Sequence, residues 1–241
     1  MKKLFLALAL TLPLFARTVD GTPEVTILVG GVPRDEYVHR GSTYIEALRG
    51  REFTIRLQNP TAQRIAIALS VDGLNTIDAK HTDAWTASKW VLEPGETADI
   101  EGWQVSDRAA RRFFFTGERS SYGAKLGQTQ NLGIIEAVIY RERMARYESR
   151  EFGGVLAPPP SAAAPRSQAE AQKTDDDYAA TGMGRHTQHS VSEVAIDLER
   201  DPIAAVALRY EFRPQLIKLG VLDHPTPLER RERARGFCPE R

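Results

Sequence analysis

The chain has 241 residues, 41% of them hydrophobic, with 32 basic side chains against 32 acidic ones. That content suffices for a packed core, and the even charge offers no electrostatic footprint for nucleic acid, where a basic stripe would be expected. The single cysteine, Cys238, has no intramolecular partner and reads as an incidental tail residue, so stability has to come from packing.

Met1-Lys2-Lys3 is a short basic start, followed by an almost unbroken apolar run from Leu4 to Ala16 that ends on a small residue. The run is shorter than the ~20 residues that span a bilayer. Residues 1–16 therefore read as a secretory signal cut after Ala16. No later segment is apolar enough to span a membrane. The expectation is a soluble exported chain, periplasmic by first choice and otherwise at the cell surface or outside the cell.

From Val25 to Tyr140 the dominant period is two, the pattern of half-buried strands. Strands are expected at Val25 to Val29 and Thr43 to Ala47. Phe53, Ile55 and Leu57 then alternate with polar residues, and Ile65, Ile67, Leu69 and Val71 alternate with Arg64, Ala66, Ala68 and Ser70. With the Pro-containing turn "NPTAQ" between them, these two runs are expected to pair antiparallel. "KWVLEPGETADIEGWQV" reads as a second hairpin about Pro94-Gly95, a pair suited to a type II turn. Gly102 shifts the parity so that Ile100 and Trp103 share a side. Arg112 to Thr116 and Gly133 to Arg141 complete the set; "GIIEAVIYR", nearly all apolar, belongs at the centre of a sheet. "SSYGAKLG" and "HTDAW" suggest short helical turns.

Residues 151–185 are rich in Pro, Ala, Ser and charge, and read as a disordered linker. Beyond them, Val194, Ile196 and Leu198, then Val206, Leu208, Tyr210 and Phe212, alternate as a hairpin. A lone hairpin is marginal in water, so it should dock on the core. "PQLIKLGVL" continues as a short helix or strand. The expected organisation is a signal (1–16), a core (17–150), a linker (151–185), a docked hairpin with its short helix (186–222) and a charged tail (223–241). Many short strands without long helical patterns predict an all-β antiparallel sandwich, immunoglobulin-like or related, forming one structural unit.

The stretch "LSVDGLNTIDAKHTDAW" concentrates polar residues after a strand. Asp72-Gly73 is a preferred turn pair. Asp72, Asn75 and Asp78 share a spacing of three and offer oxygen ligands for Ca²⁺, but the spacing does not fit an EF-hand loop. His81 and Asp83 would complete a mixed site only if the fold gathered them. The expected reading is a turn and a solvated loop, with no metal and no cofactor. His186 and His189 form H-x-x-H without the Glu or the helix of a zincin; His39 and His224 are isolated. There is no G-x-S-x-G elbow, Ser121 to Lys125 is one residue too long for S-x-x-K, and "TGMGR" is a lone Gly-x-Gly. No catalytic residue is expected. Trp85, Trp90 and Trp103 fall within nineteen residues and either fill the core or serve binding; facing outward across their hairpin, Trp90 and Trp103 would offer a platform for a sugar or an apolar peptide. The candidate partner-binding surface is thus Trp85, Trp90, Trp103, Asp72, Asn75, Asp78 and His81.

"ALSVDGLNTID", "KWVLEPGETADIEGWQVS", "RRFFFTGERSSYGAKLGQTQNLGIIEAVIY" and "TGMGRHTQHSVSEVAIDLERDPIAAVALRYEFRPQLIKLGVL" resemble stretches in a group of uncharacterised exported bacterial proteins. The resemblance implies a single unit with an inserted spacer and implies no mechanism. "LEPGET" also looks like hairpins of immunoglobulin-like bacterial sandwiches. The expected function is a non-catalytic binding or structural module of the bacterial envelope, whose partner is another envelope protein or a surface ligand. The alternative is a metal-dependent envelope hydrolase using Asp72, Asn75, Asp78 and His81.

Overall fold

A computed structural model of the chain describes residues 21–143 and 178–224. The signal-like stretch, residues 144–177 of the expected core end and linker, and the tail with Cys238 lie outside them. The strands are β1 (Glu24–Val29), β2 (Val32–Pro33), β3 (Glu36–His39), β4 (Ser42–Ala47), β5 (Glu52–Gln58), β6 (Ile65–Val71) and β7 (Leu74–Asn75). They continue with β8 (Trp90–Leu92), β9 (Thr97–Ile100), β10 (Gly102–Ser106), β11 (Ala109–Gly117), β12 (Ile134–Arg141), β13 (Ala179–Gln188) and β14 (Ala204–Phe212). Two short helices, α1 (Tyr122–Lys125) and α2 (Arg213–Lys218), fall within "SSYGAKLG" and at the start of "PQLIKLGVL".

The strands form two packed sheets, the all-β sandwich expected from the alternation. The first runs β10-β11-β5-β1-β2, with β13 on β11 and β9 on β5; the second runs β3-β4-β14-β12-β6-β7, with β8 on β6. All pairs are antiparallel except β4 with β14, which is parallel. As its apolar run requires, β12 lies inside the second sheet, between β14 and β6. Ile55, Leu57, Ile67, Leu69, Ile135 and Ile139 fill the space between the sheets. Aromatic rings form its centre: Phe53 stacks on Phe115 at 4.3 Å and on Phe113 at 5.2 Å, and Trp103 meets Phe113 edge-on at 4.7 Å. Such pairs contribute ~0.5–1.5 kcal/mol beyond area burial. Among the described residues no helix is long and apolar enough to cross a membrane.

Three pairings depart from the expectation. β5 and β6 are not partners: β5 lies in the first sheet and β6 in the second. Likewise β8 and β9 flank a tight turn, with Glu96 N–H donating to Glu93 O and Gly95 at φ +74, yet belong to opposite sheets. Both turns are corners between layers. Asn59, fully buried, holds them together: its amide nitrogen reaches the carbonyls of Gln63 (2.8 Å), Leu92 (3.2 Å) and Glu93 (2.9 Å). Its own N–H bonds Glu96 O at 2.9 Å, and its carbonyl accepts from Gly95 N at 2.8 Å.

The third departure is distal. Residues 193–199 form no strand, only a bridge from Leu198 to Glu142, and Val194 is exposed. The strand is instead β13, whose residues 179–185 fall in the expected linker. β13 and β14 do not make a hairpin, because β13 pairs with β11 in the first sheet and β14 sits between β4 and β12 in the second. Shape selects β13: a Cβ at Gly182 would lie 2.2 Å from the Phe114 ring, and one at Gly184 would lie 2.9 Å from Arg112 O. Larger side chains would not fit there.

Replacing Asn59 by Ala removes the side-chain donor shared by the Gln63, Leu92 and Glu93 carbonyls, of which the bond to Leu92 O is buried; a buried group left unsatisfied costs about 1–3 kcal/mol. The Asn59→Ala variant should therefore lose about 2–3 kcal/mol of unfolding free energy in urea. A loss below about 0.5 kcal/mol would show that backbone bonds alone hold the corner.

Candidate functional site

The polar stretch after β6 begins as the sequence suggests. Asp72 (φ +53) and Gly73 (φ +73) both occupy the left-handed region and close a two-residue hairpin in which Val71 faces Leu74. The side chain does not face water, however. Asp72 is 2% exposed; its Oδ1 accepts from the Tyr210 hydroxyl and from Gly133 N at 2.9 Å, and its Oδ2 accepts from Thr181 N at 2.7 Å. Thr181 Oγ1 and the Tyr210 hydroxyl share a further hydrogen bond of 2.6 Å. Burial raises the Asp72 carboxyl to about 6, against the opposing pull of its hydrogen bonds with Tyr210, Thr181, Gly133 and Ile134. Burial, then the Asp72 charge, lifts the Tyr210 hydroxyl well above its ordinary value. Glu211, also raised by burial, accepts from Ala179 N at 3.0 Å. Two carboxylates from the second sheet thus hold alternate N–H groups of β13 in the first.

The other polar residues of this stretch fold into a stapled loop. Asn75 is buried, donates to Ser88 O at 2.8 Å and accepts from Ile77 N at 2.8 Å. Asp78 accepts from Lys80 N and Ser88 Oγ. Asp83 caps the turn at Trp85-Thr86, where the Thr86 hydroxyl and N–H and the Trp85 N–H hold its carboxyl below the usual carboxylate range. Asp72, Asn75, Asp78 and His81 are therefore not gathered as one ligand set, and no group of three His, Cys, Asp or Glu side chains able to hold a metal occurs among the described residues. The expected solvated loop is corrected at Asp72 and Asn75, which are interior.

The tryptophans separate. Trp103 is 1% exposed, in the core of the first sheet, whereas Trp90 lies in the second, half-buried, with its Nε1 donating to Thr76 Oγ1 at 2.8 Å. They do not face one another across a hairpin, and the outward platform is absent. Trp85, 38% exposed, packs edge-on against Tyr140 at 5.4 Å. Lys89 Nζ caps this pair, donating to Trp85 O at 2.5 Å and Ala87 O at 2.8 Å, and burial lowers its pKa. His189 likewise is structural: its Nδ1 meets Gln104 Oε1 at 2.8 Å and burial lowers its pKa.

What the loop creates is a cleft of about 270 Å³ between itself and the outer face of β6 and β12. The floor consists of cross-strand neighbours: Ala68 opposite Val138, and Ser70 opposite Glu136. Lys80, His81 and Thr82 form the roof, and Asn131 closes one end beside Gly73. His81 is the only residue of the expected surface that both lines this cleft and keeps a free polar atom: its Nδ1 donates to Gly73 O at 2.9 Å, which leaves Nε2 of the neutral ring as an acceptor. Ser70, Asn131 and Glu136 have side chains with no hydrogen bond or ion pair among the described residues, and no bond joins Ser70 to His81. None of these three belongs to the surface expected from the sequence. Their signal was a lone Glu in "GIIEAVIYR" and a run of small side chains, Ala66, Ala68 and Ser70, on one face of β6.

The Asp72 carboxyl carries a pH signature. A folded value raised above the unfolded 3.8 means that the native state binds the proton more tightly. Its contribution to stability is fully present below pH ~4 and lost as pH rises through ~6. Relative to an Asp72→Asn variant, the wild type should gain on the order of 3 kcal/mol of unfolding free energy between pH 7 and pH 4. Urea titrations at both pH values measure it, and an unchanged difference would show that the carboxyl is not raised.

No family model matches this chain, and no curated protein or solved structure matches it either, so the geometry of the cleft carries the functional reading.

Proposed function

We propose that this chain is an exported, non-catalytic binding module of the bacterial envelope, with its ligand site in the cleft beneath the 73–87 loop. The observation that carries the reading is the convergence of Ser70, Asn131 and Glu136, none with an intramolecular partner among the described residues, on one concave surface. A concave site with a few convergent polar groups is the usual form of a small-molecule site. The loop that roofs it is held at both ends: Thr76 N–H donates to Leu69 O at 3.0 Å, and Asn75 bonds Ser88. Such pre-organisation lowers the entropy lost on binding. Binding rather than catalysis is favoured because Asp72, Asp78 and Asp83 are already engaged as structural acceptors. Export follows from the basic start and apolar run of residues 1–16.

Two measurements test the reading. Fractionation of cells expressing the full chain should place it outside the cytosol with its N-terminus at Arg17, and deletion of residues 4–16 should retain it inside; equal cytosolic retention of both would overturn export. Native mass spectrometry of the exported protein should show a co-purified small molecule that is lost when Ser70→Trp fills the cleft at unchanged thermal stability. A wild-type protein that retains nothing, or a Trp variant that retains the same molecule, would overturn the cleft as the site.

A further inference from the structure

We infer that the cleft selects a primary ammonium group carried on a short aliphatic stem, an inference that rests on the cleft being the ligand site. Its free polar atoms are predominantly acceptors. The Glu136 carboxylate and the Ser70 hydroxyl lie side by side across paired strands, whose directly opposed Cβ atoms are ~5 Å apart. His81 Nε2 presents a lone pair from above, because its Nδ1 hydrogen is committed to Gly73 O. The Asn131 side chain, without a hydrogen-bond partner among the described residues, adds an amide whose oxygen is a further acceptor. An ammonium carries three N–H donors and a charge, and matches such an acceptor set better than a hydroxyl or a quaternary ammonium does. Hydrogen bonds between ionised partners are about twice as strong as neutral ones.

The rest of the lining fixes the stem. Ala68, Val138, Ala84 and Ala87 present small apolar groups beside the acceptors. Among the described residues no Phe, Tyr or Trp ring lines the cleft, which disfavours a sugar ring seeking a broad stacking face. At about 270 Å³ it is smaller than sites for drug-sized ligands, which run ~300–1,000 Å³. Lys80 does not oppose the cation strongly: its side chain is 70% exposed and its Nζ lies 3.7 Å from Asp78. The shared chemistry is R–CH₂–NH₃⁺ or R–CH(NH₃⁺)–COO⁻, supplied by a simple amine or by a free amino acid.

The test is a ¹⁵N–¹H titration of the purified exported chain, at constant ionic strength, with propylammonium, L-alanine, 1-propanol and tetramethylammonium. The first two should shift the amides of Ser70, Gly73, His81 and Glu136 saturably, while propanol and tetramethylammonium leave them unchanged. Glu136→Gln, an exposed substitution that keeps the fold, should weaken ammonium binding roughly tenfold or more. Tighter binding of L-alanine than of propylammonium supports the inference with an amino acid as source; the reverse order supports it with a simple amine. Absence of saturable shifts with both, equal affinity in Glu136→Gln, or an equal response to propanol would overturn it. If that occurs while Ser70→Trp still abolishes the co-purified molecule, the cleft stands and only the ammonium assignment falls.

Discussion

The Asp72 carboxylate accepts hydrogen bonds from the Tyr210 hydroxyl, Gly133 N–H and Thr181 N–H at a point that water does not reach. Those donors belong to segments remote in sequence, and they include both sheets. A carboxylate buried this deeply is tolerated only when its lone pairs are filled, because desolvation of the charge costs several kcal/mol otherwise. The turn geometry, the docking of β13 and the seat of β14 are therefore mutually required. Asp72 can reach its donors only with the left-handed backbone that an Asp-Gly hairpin supplies, and β13 finds part of its outer edge satisfied only because Asp72 and Glu211 stand in for a neighbouring strand.

The same turn positions the functional surface. With Asp72 fixed inward, Gly73 passes under Asn131 and accepts from His81, and the chain after β7 is thrown back over the outside of β6 and β12. Asn75 and Thr76 tether the start of that loop, and Lys89 with the Trp85–Tyr140 pair holds its far end. The small outward side chains of β6 leave room beneath it. A strand carrying Leu or Ile at Ala68 and Ser70 would fill the space with packing, and the cleft would disappear.

Interior closeness explains why glycine and alanine recur where a hydrophobic strand was not evident. Gly102 lies where a Cβ would fall 1.8 Å from Arg111 O, at the point where the chain leaves β5 for β11 as a partner. Gly182 lies flat against Phe114 on the outward face of the first sheet. Around it, Arg185 makes a bidentate pair with Glu52 at 2.7 and 3.0 Å, and Arg112 meets Glu101 at 2.7 Å. These ion pairs are partly exposed, so solvent screens them and they add little to stability. Their alignment serves register more than stability.

Period-two alternation determined, from the sequence alone, that the chain is an all-β sandwich and that "GIIEAVIYR" is central, and the Asp-Gly pair determined the turn at residues 72–73, because side-chain direction in a strand and backbone preference in a turn are local properties. Alternation does not say which strand is a neighbour. Whether β5 continues to β6 within a sheet or across a corner depends on Asn59, whose side-chain amide bonds carbonyls up to 34 residues away. β13 was hidden because its fit is steric: "AATGMG" is too small to look like a core strand until Phe113, Phe114 and Phe115 are placed beside it. The fate of each polar residue after β6 was likewise undetermined locally. Only the tertiary structure sent Asp72 inward to Tyr210 and left Ser70 and Glu136 facing an open cleft, because burial is decided by what the rest of the chain brings near.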